Sequence, residues 1–198
     1  MSDSQFESEL CLFDSAPAPR HANVFYGSSS IRLWENIGEC FPGLVVVNRG
    51  FGGSTLAECI DLLPRVIFPL DPSALLLYAV DNDLDFGASP EHAEYLFNEF
   101  LHRARAVFPA LPIAFISVKP SPSRYWNIGR IRHANALIEA AASRCPGVTY
   151  LDVFSPMLNG DGSCRPELFT EDGLHMNAAG YDLWTLTIRP WLQSLPPV

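Results

Sequence analysis

The sequence predicts a three-layer α/β sandwich built on a mostly parallel sheet. Two observations carry the prediction. Five short apolar runs recur along the chain, each the length of a strand buried on both faces. Between them lie segments whose apolar residues repeat every three or four positions, the spacing of an amphipathic helix. Strand and helix in alternation imply right-handed crossovers, which put the C-terminal ends of the strands on one edge of the sheet. Ligands of open α/β sheets bind beyond that edge, so residues just after a strand are read for chemistry.

The whole chain, 1–198, reads as one domain, with residues 1–22 as an N-terminal extension or helix. The first strand is Val24–Tyr26, which runs into Gly27 and the serines Ser28, Ser29 and Ser30. The second is Leu44–Val47, followed by a helix from Leu56 to Ile67 that Pro64 is expected to break. The third strand is Ala74–Val80. After it, Ser89 is placed to cap a helix with Pro90 in the first position, and Ala93, Phe97, Phe100, Leu101 and Ala104 form its apolar stripe to Phe108. The fourth strand is Ile113–Val118, and Ile128, Ile131, Asn135, Ile138 and Ala142 mark the next helix. The fifth strand is Val148–Val153. A last helix begins after Asn177, and Pro190 is expected to kink or end it.

Composition narrows the class. At 48% apolar residues the chain is globular, and a formal net charge of −9 argues against a nucleic-acid groove. The first residues lack the basic and apolar regions of a signal peptide, and no apolar run is long enough to cross a bilayer. The five cysteines are widely spaced without a Cys-x-x-Cys pair, which suits reduced thiols in a cytoplasmic protein better than disulfides or zinc.

Four segments hold candidate chemistry. They are Gly27-Ser28-Ser29-Ser30-Ile31, Asn48 through Thr55, Val80-Asp81-Asn82-Asp83, and Asp172-Gly173-Leu174-His175. Acyl transfer needs a hydroxyl, a base, a group to orient the base, and donors for the oxyanion. A serine after the first strand supplies the hydroxyl, His175 the base and Asp172 its orienter. A glycine N–H after the second strand and the Asn82 amide after the third can join the serine's own N–H as donors. The bland reading of the serine run is a helix cap.

In this order the four segments resemble the motif blocks of the SGNH/GDSL hydrolase superfamily, nearest its bacterial esterases similar to platelet-activating-factor acetylhydrolase catalytic subunits. The resemblance runs from Val24 to about Trp191. It implies a flavodoxin-like fold with a five-stranded parallel sheet of order 2-1-3-4-5. It also implies a serine esterase without cofactor or metal, acting on a small-molecule ester. Carried over residue by residue, Gly-Asp-Ser anchored at Gly27 selects Ser29 as nucleophile, with Ser28 in place of the usual Asp. Anchoring on Ile31 would select Ser30 instead. Asn-x-x-x-x-Gly-Asp-Thr, anchored on Asn48 and Thr55, selects Gly53. Gly-x-Asn-Asp selects Asn82, with Val80 in place of glycine. Asp-x-x-His selects Asp172 and His175. The oxyanion set is then Ser29, Gly53 and Asn82.

Competing readings are weaker. Asp152 also closes a strand but reads as a loop-capping carboxylate. Gly50-Phe51-Gly52-Gly53 lacks the third glycine of a dinucleotide loop, because that position is Thr55. Asp81 to His92 lacks the glycine and glutamate of a calcium loop. Arg124, in a Pro-rich loop after the fourth strand, is a candidate to meet an anionic group on a substrate. Trp126, Phe86 and Phe154 are candidates for an acyl pocket, with core packing the commoner role. A non-catalytic carbohydrate- or lipid-binding module on the same scaffold is the alternative function, and a nucleotide-binding protein a third. The natural substrate and the oligomeric state, a homodimer included, stay open.

Overall fold

In the structure, a computed structural model that describes residues 3–16 and 18–196, the apolar runs form five strands. These are β1 (Ala22–Gly27), β2 (Val46–Gly50), β3 (Pro72–Tyr78), β4 (Ile113–Ile116) and β5 (Val148–Leu151). All neighbours are parallel and the order is β2-β1-β3-β4-β5, as the resemblance implies.

Alternation along the strands divides the core. Val24, Tyr26, Leu75, Leu77, Ile113 and Phe115 face one layer. There they meet α1 (Asp3–Ser15), α4 (Leu56–Val66), α6 (Pro90–Val107) and α7 (Ile128–Ser143). Phe25, Leu76, Tyr78, Ala114 and Ile116 face the other layer. It holds α2 (Ser29–Arg32), α3 (Ile37–Cys40) and α8 (Ala178–Ser194). A short helix, α5 (Asp81–Asp85), and a 3-10 turn, Pro122–Asn127, sit at the C-terminal edge of the sheet.

Residues 1, 2 and 17 of the expected N-terminal extension or helix lie outside the described residues. Asp3–Ser15 forms α1, whose Phe6 and Leu10 are buried and whose Glu7 and Asp14 both pair with Arg65 of α4, and Ala22 already belongs to β1.

The strand boundaries shift for identifiable reasons. β2 extends beyond Val47 because it is an edge strand that tolerates polar residues. Asn48 there accepts from Gly50 N–H and donates to the Ile31 carbonyl, and Arg49 donates to the Ala16 carbonyl. β3 stops at Tyr78 because Val80 turns left-handed, at φ +84. β4 and β5 stop short because side chains satisfy the backbone that follows. Asn135 bonds both the N–H and the carbonyl of Val118, and the Ser117 hydroxyl accepts from Val153 and Phe154.

Neither proline ends its helix. Pro64 lies in the last turn of α4, between buried Leu63 and Val66, and Pro190 lies between buried Ile188 and Leu192 of α8. Packing on both sides holds each helix through one missing N–H bond.

Candidate active site

The strand order brings the loops after β1, β2 and β3 side by side. Gly27 pairs with Gly50 on one side and with Tyr78 on the other. Gly27 has φ +135, and a Cβ there would sit 1.8 Å from the Tyr78 carbonyl oxygen. Only glycine allows β1 to end so close to β3. The next residue, Ser28, donates its N–H to that carbonyl, and α2 starts at Ser29.

The serine run does not act as a side-chain cap. Ser28 occupies the cap position, yet its hydroxyl makes no capping bond. Ser28 and Ser30 are each 2% exposed, whereas Ser29 is partly exposed. Tyr181 of α8, in the same layer as α2, donates to the Ser30 carbonyl and fixes the turn.

Ser29 Oγ lies 3.1 Å from His175 Nε2, and His175 Nδ1 lies 2.6 Å from Asp172 Oδ2. The turn that presents His175 is closed by a bridge between Phe169 and Met176, and by Thr170 N–H donating to the His175 carbonyl. The second Asp172 oxygen accepts from the N–H groups of Leu174 and His175 and from the Thr170 hydroxyl. Desolvation alone would raise the Asp172 carboxyl. The two backbone donors, the ring and the hydroxyl outweigh it and hold the group well below its ordinary value of 3.8. It stays ionised beside the imidazole nitrogen.

Gly53 follows β2 at φ +75 and is exposed. Among the described residues, neither its N–H nor that of Ser29 has an acceptor. Asn82, 7% exposed, donates through Nδ2 to the Ser54 carbonyl at 2.9 Å and accepts on Oδ1 from Arg124 at 3.1 Å. Val80, standing where the resemblance expects glycine, adopts the left-handed conformation that glycine would supply.

The guanidinium of Arg124, expected to face an anionic group on a substrate, is instead occupied within the protein. Besides Asn82 it pairs with Asp81 at 2.8 Å and Asp85 at 2.9 Å. Phe154 is buried, whereas Phe86 and Trp126 are 72% and 69% exposed, so core packing does not account for them. Asp152 accepts from Ser155 N–H, as a loop cap does. Among the described residues, no three His, Cys, Asp or Glu side chains are grouped to hold a metal ion.

Two supporting residues escaped the sequence reading. Asn48 anchors the turn after Ser29 through the Ile31 carbonyl. Asp83, 4% exposed, accepts Leu56 N–H and ties the β3 loop to the start of α4. Asn48 was visible only as an anchor of its motif. Asp83 and its partner are too far apart in sequence for any local signal.

A parallel sheet covered by helices, with a hydroxyl, an imidazole and a carboxylate in line at its C-terminal edge, defines an α/β/α-sandwich enzyme of hydrolytic type. The chain belongs to the GDSL-like lipase/acylhydrolase family, whose model matches residues 24–183, and is an ester hydrolase. Solved structures share the fold. A candidate platelet activating factor from Streptococcus pneumonia is 18% identical with a TM-score of 0.85, covering 96% of this chain and 92% of that one. A GDSL-like lipase from Bacteroides thetaiotaomicron is 20% identical with a TM-score of 0.81, covering 95% and 97%. A candidate acylhydrolase from Bacteroides fragilis is 21% identical with a TM-score of 0.80, covering 94% and 95%. The chain matches no curated protein. Among the described residues, no helix is long and apolar enough to cross a membrane.

Proposed function

We propose that the protein cleaves short-acyl carboxylic esters, acetyl esters included, through an acyl-enzyme on Ser29. The observation that carries this reading is the line of contacts from Asp172 through His175 to Ser29, at 2.6 and 3.1 Å. His175 Nε2 takes the Ser29 proton as Oγ attacks the ester carbonyl carbon. Asp172 fixes the imidazole tautomer, so that Nδ1 carries a proton and Nε2 is free to accept one.

The carbonyl oxygen, now negative, is met by the Ser29 and Gly53 N–H groups and the second Nδ2 proton of Asn82. Such donors act on charge that exists only in the transition state, which makes them effective in catalysis. His175 then gives its proton to the leaving alcohol. Water, deprotonated by the same nitrogen, attacks the acyl carbon, and the carboxylic acid departs as Oγ regains its proton.

Hydrolysis of p-nitrophenyl esters from acetate upward, with acetylated xylan alongside, tests the substrate class. The expected profile falls as the acyl chain lengthens, and a fluorophosphonate labels Ser29. Absence of both hydrolysis and labelling would overturn the reading.

A further inference from the structure

We propose that Arg124 is a positioning residue for ester hydrolysis, one that holds and polarises the Asn82 amide. The proposal rests on the reading of Asn82 as an oxyanion donor.

An asparagine amide can sit either way round, and its neighbours decide. Here Arg124 Nη2 lies 3.1 Å from one end of the Asn82 amide and the Ser54 carbonyl 2.9 Å from the other. Reversed, the amide would set N–H against guanidinium and oxygen against oxygen. Only one orientation is left, with Nδ2 on the side of the Gly53–Ser54 loop. One Nδ2 proton goes to Ser54 and the other remains for a ligand. A cationic donor on Oδ1 also draws electron density from the amide and makes its N–H groups stronger donors.

Arg124 is itself held from behind. Asp81, 5% exposed, pairs with Arg124 through one oxygen and with Lys119 through the other, at 2.8 and 2.7 Å. Lys119 is 1% exposed and also reaches the Tyr78 hydroxyl. Asp85 takes another guanidinium nitrogen at 2.9 Å. Two cations and two carboxylates cancel, so little charge is left over for an anionic substrate. Breaking one member of such a group strands the others.

The preceding residue grips the opposite half of the site. Ser123 donates its N–H and its hydroxyl to the Gly173 carbonyl, at 3.0 and 3.1 Å, within the Asp172–His175 turn. Neighbouring residues of one 3-10 turn therefore fix both the amide that meets the oxyanion and the turn that carries the base.

The test is a cycle of Arg124→Met and Asn82→Ala, with kcat and KM for p-nitrophenyl acetate. Arg124→Lys, which keeps a cation beside Asp81, runs in parallel because Arg124→Met strands two carboxylates. We expect either Arg124 variant to lower kcat about tenfold or more with KM changed less than about twofold. In the Asn82→Ala background the same substitutions should change kcat less than about threefold, because the group they act through is gone. Equal fold losses in both backgrounds would overturn the proposal. A raised KM with unchanged kcat would overturn it too, and return Arg124 to substrate binding. An Asn82→Ala single variant with unchanged kcat would overturn the oxyanion reading beneath it.

Discussion

Asp83 accepts the Leu56 backbone N–H on both carboxylate oxygens, each at 3.0 Å. A side chain after β3 thereby closes the first turn of α4, just beyond Gly53. Asp83→Ala leaves that buried N–H unpaired, at a cost of about 1–3 kcal/mol. Chemical denaturation measures it, and a loss below about 0.5 kcal/mol would discount the bond.

The same carboxyl predicts a pH dependence. Burial raises its pKa above 3.8 against the pull of Leu56 N–H. A group whose folded value is raised contributes stability that is present below the unfolded value and lost as pH rises through the folded one. The stability advantage of wild type over Asp83→Asn should therefore narrow from pH 3.8 upward. An advantage that widens over that range would contradict the assignment.

Ser29 and Ser30 separate by exposure and by partner. Ser29→Ala should abolish ester cleavage with thermal stability little changed. Ser30→Ala, at a buried position away from His175, should retain turnover. Activity kept in the first variant and lost in the second would move the nucleophile by one residue.

The acid limb of kcat/KM should show the loss of one proton-accepting group only. Asp172 is held well below 3.8, chiefly by backbone donors acting against its partial burial. A depressed group stays ionised as pH falls, and gives up its contribution only on passing its folded value. Asp172 should therefore add no proton of its own to that limb, and log kcat/KM should fall with a slope no steeper than one. A slope of two would show Asp172 titrating within the limb.

Val80 is fully buried at φ +84. Burial of a valine is worth about 1.5–3 kcal/mol, and the left-handed conformation costs a β-branched residue about 1–2 kcal/mol. Val80→Gly should thus lose only about 1 kcal/mol by denaturation, because relief of strain offsets much of the lost packing. A loss above about 3 kcal/mol would mean that Val80 sits there without strain.

The layers were legible because apolar runs and helical spacing are local patterns, whereas the strand order was implied by the family resemblance. The residues alone offered His175, Asp172 and a serine of the run, the family resemblance selected Ser29 among them, and the structure puts those three in line. The serine run, whose cap position makes no side-chain bond, and the left-handed turn at Val80 mark where the pattern ends. A strand prediction carries an apolar run onward, whereas the chain had to turn at Val80 to present Asn82. Arg124 was misjudged for a different reason. A loop arginine looks free in a sequence, and its partners Asp81 and Asp85 lie about 40 residues away, a separation no local pattern spans.

Asn48 to Ile31, Asn82 to Ser54 and Asp83 to Leu56 bind three strand-end loops to one another or to the helices beside them. Their ordering entropy is lost while the chain folds, before any ester arrives. Reaching the transition state then demands little further ordering, and the temperature dependence of kcat should be governed by enthalpy, with an activation entropy near zero.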